Sequence, residues 1–149
     1  MSKYKNAPQT LLSGWTVLAI DDHEDSQEVI EDILTFYGAT VVLADDGQEG
    51  FERALKVQPQ FIISDISMPN VDGWQLIEML KAEPRTMHIP VIALTAHAMA
   101  GDRERAIGVG FHNYLSKPLD PFNFLSQVLT LLDDIDALAH ELQTRMKAV

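Results

Sequence analysis

The chain has 149 residues, no cysteine, and 22 acidic against 11 basic side chains, for a formal charge of −11. That length suits one domain of ordinary size with a single core and little left over. The charge opposes nonspecific binding to nucleic acid or to an anionic membrane surface, and the lack of cysteine excludes disulfides, thiolate chemistry and cysteine zinc sites. No run of about 18 apolar residues occurs, and no apolar leader core follows the N-terminal lysines. The expectation is a cytoplasmic protein whose partners are other proteins, with no nucleic acid and no membrane among them.

Residues 1–14 (MSKYKNAPQTLLSG) mix polar side chains with Pro8 and Gly14 and lack sustained periodicity, which predicts a poorly ordered lead-in to a domain spanning 15–133. From Trp15 onward, short runs rich in Val and Ile alternate with longer amphipathic stretches. The predicted strands are Thr16–Ile20, Thr40–Ala44, 61–64, 91–94 and 113–115. Between them, Val29, Ile30, Ile33, Leu34 and Tyr37 form one helical stripe, and Leu76, Ile77, Met79 and Leu80 form another. Gly38, Gly47, Gly73, Gly101 and Gly110 fall near element ends, where caps and turns tolerate positive φ. Repeated strand–helix units predict an α/β fold, a doubly wound parallel sheet with its functional crevice beyond the C-terminal ends of the strands. Past the last unit, Leu131, Ile135, Leu138, Leu142 and Met146 continue a helical stripe, which predicts an extended C-terminal helix over 134–149. Such a stripe can fold back on the domain, pair with a second copy as a homodimer, or dock a partner helix.

At the strand ends stand Asp21 and Asp22 after the first, Asp65 after the third, Thr95 after the fourth and Lys117 after the fifth. Crowded carboxylates repel one another unless a cation joins them, and oxygen ligands without Cys or paired His suit Mg²⁺. With that charge neutralised, one carboxylate can attack a phosphorus atom and form a mixed anhydride, and Asp65 is the most central. Lys117 and Thr95 can hold phosphoryl oxygens by charge and hydrogen bonding.

Each of these residues also has a plainer reading. An Asp-Asp pair commonly opens a turn, as Asp45-Asp46-Gly47 does in this chain. Glu24 and Asp25 read as first-turn carboxylates favoured by a helix dipole. Alone, Thr95 is a strand-end hydroxyl, Lys117 a solvated charge and Tyr114 a half-buried strand aromatic. The histidines His23, His88, His97, His112 and His140 show no helically spaced pair for zinc and read as surface residues.

The order Ile-Asp-Asp, then Ser-Asp-Ile-Ser-Met-Pro with Asp-Gly following, then Leu-Thr-Ala, then Lys-Pro resembles the receiver domains of two-component response regulators. The single-domain chemotaxis regulators are the simplest members. The resemblance covers roughly residues 15–133 and implies a flavodoxin-like five-stranded sheet in the order 2-1-3-4-5. It implies Asp65 as phosphoacceptor, with Mg²⁺ held by Asp21, Asp22, Asp65 and the backbone carbonyl of Ser67. Thr95 and Lys117 would be the switch pair, and Tyr114 the aromatic that turns inward with Thr95. Ser67 and His97 would tune the phosphoryl lifetime, and the Lys117-Pro118 bond, at Pro118, would be cis. The implied partners are a histidine kinase or histidine phosphotransfer protein and an unknown effector, which would meet the face at about residues 99–127.

The chain would thus act as a signalling switch that catalyses only its own phosphorylation and dephosphorylation. A relay domain that hands phosphate to a histidine phosphotransfer protein remains open beside it. A Mg²⁺-dependent hydrolase of the haloacid dehalogenase class needs an acid where Ser67 stands. A dinucleotide-binding enzyme needs a Gly-x-Gly-x-x-Gly turn that does not follow the first strand.

Overall fold

The strands are β1 (Thr16–Ile20), β2 (Thr40–Ala44), β3 (Phe61–Asp65), β4 (Val91–Thr95) and β5 (Asn113–Ser116). They form one parallel sheet in the order β2-β1-β3-β4-β5, the flavodoxin-like arrangement. The computed structural model describes residues 3–96 and 101–147. β3, β4 and β5 each run one residue beyond the sequence expectation, so Asp65 and Thr95 are held by the sheet itself.

Because side chains alternate across a strand, the Val- and Ile-rich runs feed two cores at once. Val17, Ala19, Phe61, Ile63, Ile92 and Leu94 point to one face, where Ile30 and Leu34 of α1 (Glu24–Phe36) and Phe124, Val128 and Leu129 of α5 (Phe124–Leu131) cover them. Leu18, Ile20, Ile62, Val91 and Ala93 point to the other. There they meet Ala54 of α2 (Gly47–Val57), Leu76, Ile77 and Leu80 of α3 (Gly73–Ala82) and Ala106 of α4 (Asp102–Val109).

Local sequence explains several helix starts. Asp46 caps α2 by accepting from Glu49 N, and Asp72 with Gln75 makes a reciprocal capping box on α3. Gly73, expected to serve a positive φ, serves a close approach. A Cβ there would lie 2.6 Å from the carbonyl oxygen of Asp65 and 2.6 Å from Ile66 Cα. The start of α3 is thereby pressed against the loop that follows Asp65.

The two ends of the chain pack together. The segment 3–14 is not a loose lead-in: Tyr4, Leu11 and Leu12 are buried in the core shared with α1 and α5. Leu12 N donates to Tyr37 O, and Gly38, at φ 99°, leaves only 2.8 Å between an added Cβ and Ser13 Oγ. Two adjacent leucines in a polar segment are too short to show a period, although each contributes about 1.5–3 kcal/mol when fully buried. The C-terminal helix is present as a separate element, α6 (Asp136–Lys147), after a break at 132–135. It folds back on the chain. Leu142 is fully buried with Leu11, Leu12 and Trp15, and Leu138 and Met146 pack against them. Arg145 donates to Leu11 O (2.9 Å), Ser13 O (2.7 Å) and Glu141 (2.7 Å), while Glu141 accepts from Trp15 Nε1 at 3.1 Å. Asp133, at the break, is held by Lys3 and the Tyr4 hydroxyl.

Candidate functional site

Asp65 ends the central strand β3, flanked by the ends of β1 and β4, so Asp21, Asp65 and Thr95 reach the same edge of the sheet. Asp65 and Thr95 open onto a cleft of about 830 Å³ lined by Asp65, Ser67, Thr95, Tyr114 and Lys117 among others, with Asp21 buried behind it. Parallel strands deliver this convergence because every strand ends on the same side.

Lys117 follows β5 and reaches back across the cleft. Its Nζ lies 2.9 Å from Asp21 Oδ2 and 3.2 Å from Asp65 Oδ2. Burial raises the Asp65 carboxyl above the usual carboxylate range, the charge of Asp21 adds to that, and Lys117 and the Ser67 N–H oppose it. Burial works against the Lys117 ammonium, but its hydrogen bonds and the charges of Asp21 and Asp65 outweigh it and raise its pKa. Ser67 N donates to Asp65 Oδ1 at 3.3 Å. The Lys117–Pro118 peptide is cis.

Asp21, Asp22 and Asp65 offer carboxylate oxygens, together with a ring nitrogen of His23, that all lie within 4.8 Å of one another. Among the described residues Asp21 Oδ2 is buried without a well-directed hydrogen bond, and it faces the Lys117 ammonium at 2.9 Å. A short positive supply facing several carboxylates fits a hard divalent cation with oxygen ligands. Glu24 and Asp25 lie in the first turn of α1 and are not part of this cluster.

Sequence reasoning missed two residues here. His23 is exposed, as expected of a surface histidine, and its Nδ1 also sits 3.1 Å from both Asp21 Oδ1 and Asp22 Oδ1. Its place directly after the acidic pair was a signal, but the direction of its ring was not readable. Gln27, one turn into α1, donates to Asp21 O (2.5 Å) and Asp45 Oδ1 (2.9 Å), tying the end of β1 to the loop after β2. His97 lies outside the described residues, as do the first residues of the face expected at 99–127. Tyr114 is half-buried and borders both the cleft and a second groove of about 400 Å³ lined by Arg103, Asn113, Ser116 and Gln127.

A family model for the response regulator receiver domain matches residues 17–129. The chain belongs to this family. Receiver domains are signalling switches rather than classical enzymes, and they bind Mg²⁺ at an acidic cluster of this kind. The chain is 33% identical over 119 residues to the polar-differentiation response regulator DivK of Brucella anthropi, covering 80% of this chain and 97% of that protein. It is 39% identical over 105 residues to the signal transduction histidine-protein kinase BarA of Escherichia coli, covering 70% of this chain but only 11% of the kinase. Among solved structures, chemotaxis protein CheY4 of Vibrio cholerae superposes with a TM-score of 0.73 at 27% identity, covering 79% of this chain and 98% of that one. No described helix is long and apolar enough to cross a membrane.

Proposed function

We propose that this receiver domain accepts a phosphoryl group on Asp65 from a histidine kinase or histidine phosphotransfer protein, in the cytoplasm, and signals by altering its partner-binding face. The observation that carries this reading is the pairing of Asp65 with Lys117 at 3.2 Å at the mouth of the cleft. In this reading an Asp65 carboxylate oxygen attacks the phosphorus, a P–O or P–N bond of the donor breaks, and the leaving group departs with the electron pair and takes a proton from solvent. Lys117 offsets charge on the phosphoryl oxygens, and the Thr95 hydroxyl donates to them. Asp21, Asp22, Asp65 and the Ser67 carbonyl would hold Mg²⁺. The ion would neutralise the carboxylates and the incoming phosphoryl charge.

Tyr114 supports transmission, because it walls both the Asp65 cleft and the groove between α4, β5 and α5. A shift of Thr95 toward a phosphoryl group frees room for the ring, and a partner that distinguishes the two grooves reads the state. Ser67 and His97 would set the phosphoryl lifetime. A relay role, passing phosphate to a histidine phosphotransfer protein, is favoured by the likeness to a segment of the kinase BarA.

The test is intact mass after incubation with acetyl phosphate and Mg²⁺. A gain of one phosphoryl group is expected, absent in Asp65→Asn and in chelator. An equal gain in Asp65→Asn would move the phosphoacceptor elsewhere.

A further inference from the structure

We propose that His23 adds an imidazole nitrogen to the divalent cation site of Asp21, Asp22 and Asp65, biasing it toward ions that accept nitrogen, such as Co²⁺, relative to Mg²⁺. This rests on the cation-binding reading of the site given above.

His23 is the N-cap residue of α1, but its side chain makes no capping hydrogen bond. The ring turns instead to the acidic cluster, with Nδ1 3.1 Å from Asp21 Oδ1, 3.1 Å from Asp22 Oδ1 and 3.6 Å from Asp65 Oδ2. Neighbouring donors at right angles around one ion, each about 2.1 Å from it, are about 3 Å apart. The spacing of Nδ1 from the Asp21 and Asp22 oxygens is therefore that of neighbouring ligands in a single coordination sphere. The Lys117 ammonium supplies the independent observation. It lies 3.5 Å from His23 Nδ1 as well as 2.9 Å from Asp21 Oδ2 and 3.2 Å from Asp65 Oδ2, so the His23 nitrogen already shares one positive centre with oxygens of Asp21 and Asp65.

A plainer arrangement has the same distances: Nδ1–H donating to the two aspartates. Coordination needs the other tautomer, with the proton on Nε2, and a side chain 62% exposed leaves Nε2 free to carry it. Imidazole binds borderline ions far better than it binds Mg²⁺, which prefers oxygen. The consequence is a change in selectivity, which a hydrogen-bonding role alone would not produce.

The experiment titrates wild type, His23→Asn and His23→Gln with Mg²⁺ and with Co²⁺ by calorimetry, and records the Co²⁺ visible spectrum. Only the Co²⁺ signal that excess Mg²⁺ displaces is scored, which removes binding at other histidines. The expected result is a Co²⁺-to-Mg²⁺ affinity ratio about 10-fold or more lower in both variants, with a shifted Co²⁺ band. An unchanged ratio and band, with Mg²⁺ still binding wild type, overturns the role of His23 alone. Failure of wild type to bind Mg²⁺ overturns the cation site itself and the inference with it.

Discussion

Asp65 is almost fully buried beside Asp21, and burial first, then the charge of Asp21, raises its pKa despite Lys117. The folded chain therefore holds this proton more tightly than the unfolded chain. Stability from the group is greatest below the ordinary carboxylate range and is lost as pH rises through the raised value. Without divalent cation, Asp65→Asn should thus melt higher than wild type near neutral pH, by about 2–4 °C for each kcal/mol recovered. The advantage should shrink as pH falls into the carboxylate range, and Mg²⁺ should narrow it by stabilising wild type more. Melting curves at several pH values, with Mg²⁺ and with chelator, check this; an Asp65→Asn protein less stable at neutral pH would show that the Lys117 pair dominates. The convergence of Asp21, Asp22, Asp65, Thr95 and Lys117 is legible in the sequence because a parallel strand fixes where the residues at and just beyond its end go. His23 and Gln27 were not, because their roles depend on side-chain direction after a turn.

Among the elements, α4 is the least anchored helix on its face of the sheet. Ala106 is its one buried residue, and Gly101 and Gly110 bound it at φ 91° and 123°, conformations that favour glycine. What holds its outer side is Trp74 of α3, with the Arg105 guanidinium 4.0 Å from its ring centre and Phe111 edge-on at 5.9 Å. A cation–π contact near the surface contributes about 0.5–1 kcal/mol, so Arg105→Ala should speed amide hydrogen exchange in α4 by about 2–5-fold. Exchange in α1 and α5 should not change; a uniform acceleration would mean that α4 unfolds only with the whole domain. The sequence showed the strands plainly because β-branched runs are their own signal. It hid the break between α5 and α6, because Leu131 through Met146 keep one helical spacing while Asp133 is drawn to Lys3 and Tyr4 from the other end of the chain.

In the molecule as a whole, signalling and stabilising chemistry lie at opposite ends of the sheet. The cleft sits at the C-terminal ends of β1, β3 and β4, whereas Trp15, Leu11, Leu12 and α6 close the side where β1 begins. This cap uses the apolar stripe of α6 within one chain, so a homodimer built on that stripe would first have to undock it. Leu142 is the keystone, fully buried among residues from both termini. Truncating a buried leucine to alanine costs about 2–5 kcal/mol through lost burial and the cavity left behind. Leu142→Ala should therefore lower the melting temperature by roughly 4–20 °C at this chain length, with Trp15 emission shifting as its surroundings become wetter. Phosphorylation of Asp65 by acetyl phosphate, measured well below the new melting temperature, should keep its wild-type rate because the cap closes the side where β1 begins and the cleft lies beyond the opposite strand ends. Sedimentation should show a monomer for wild type. A slower phosphorylation rate in folded Leu142→Ala would mean that the cap is coupled to the switch through β1, and a wild-type dimer lost in the variant would mean that α6 pairs between copies.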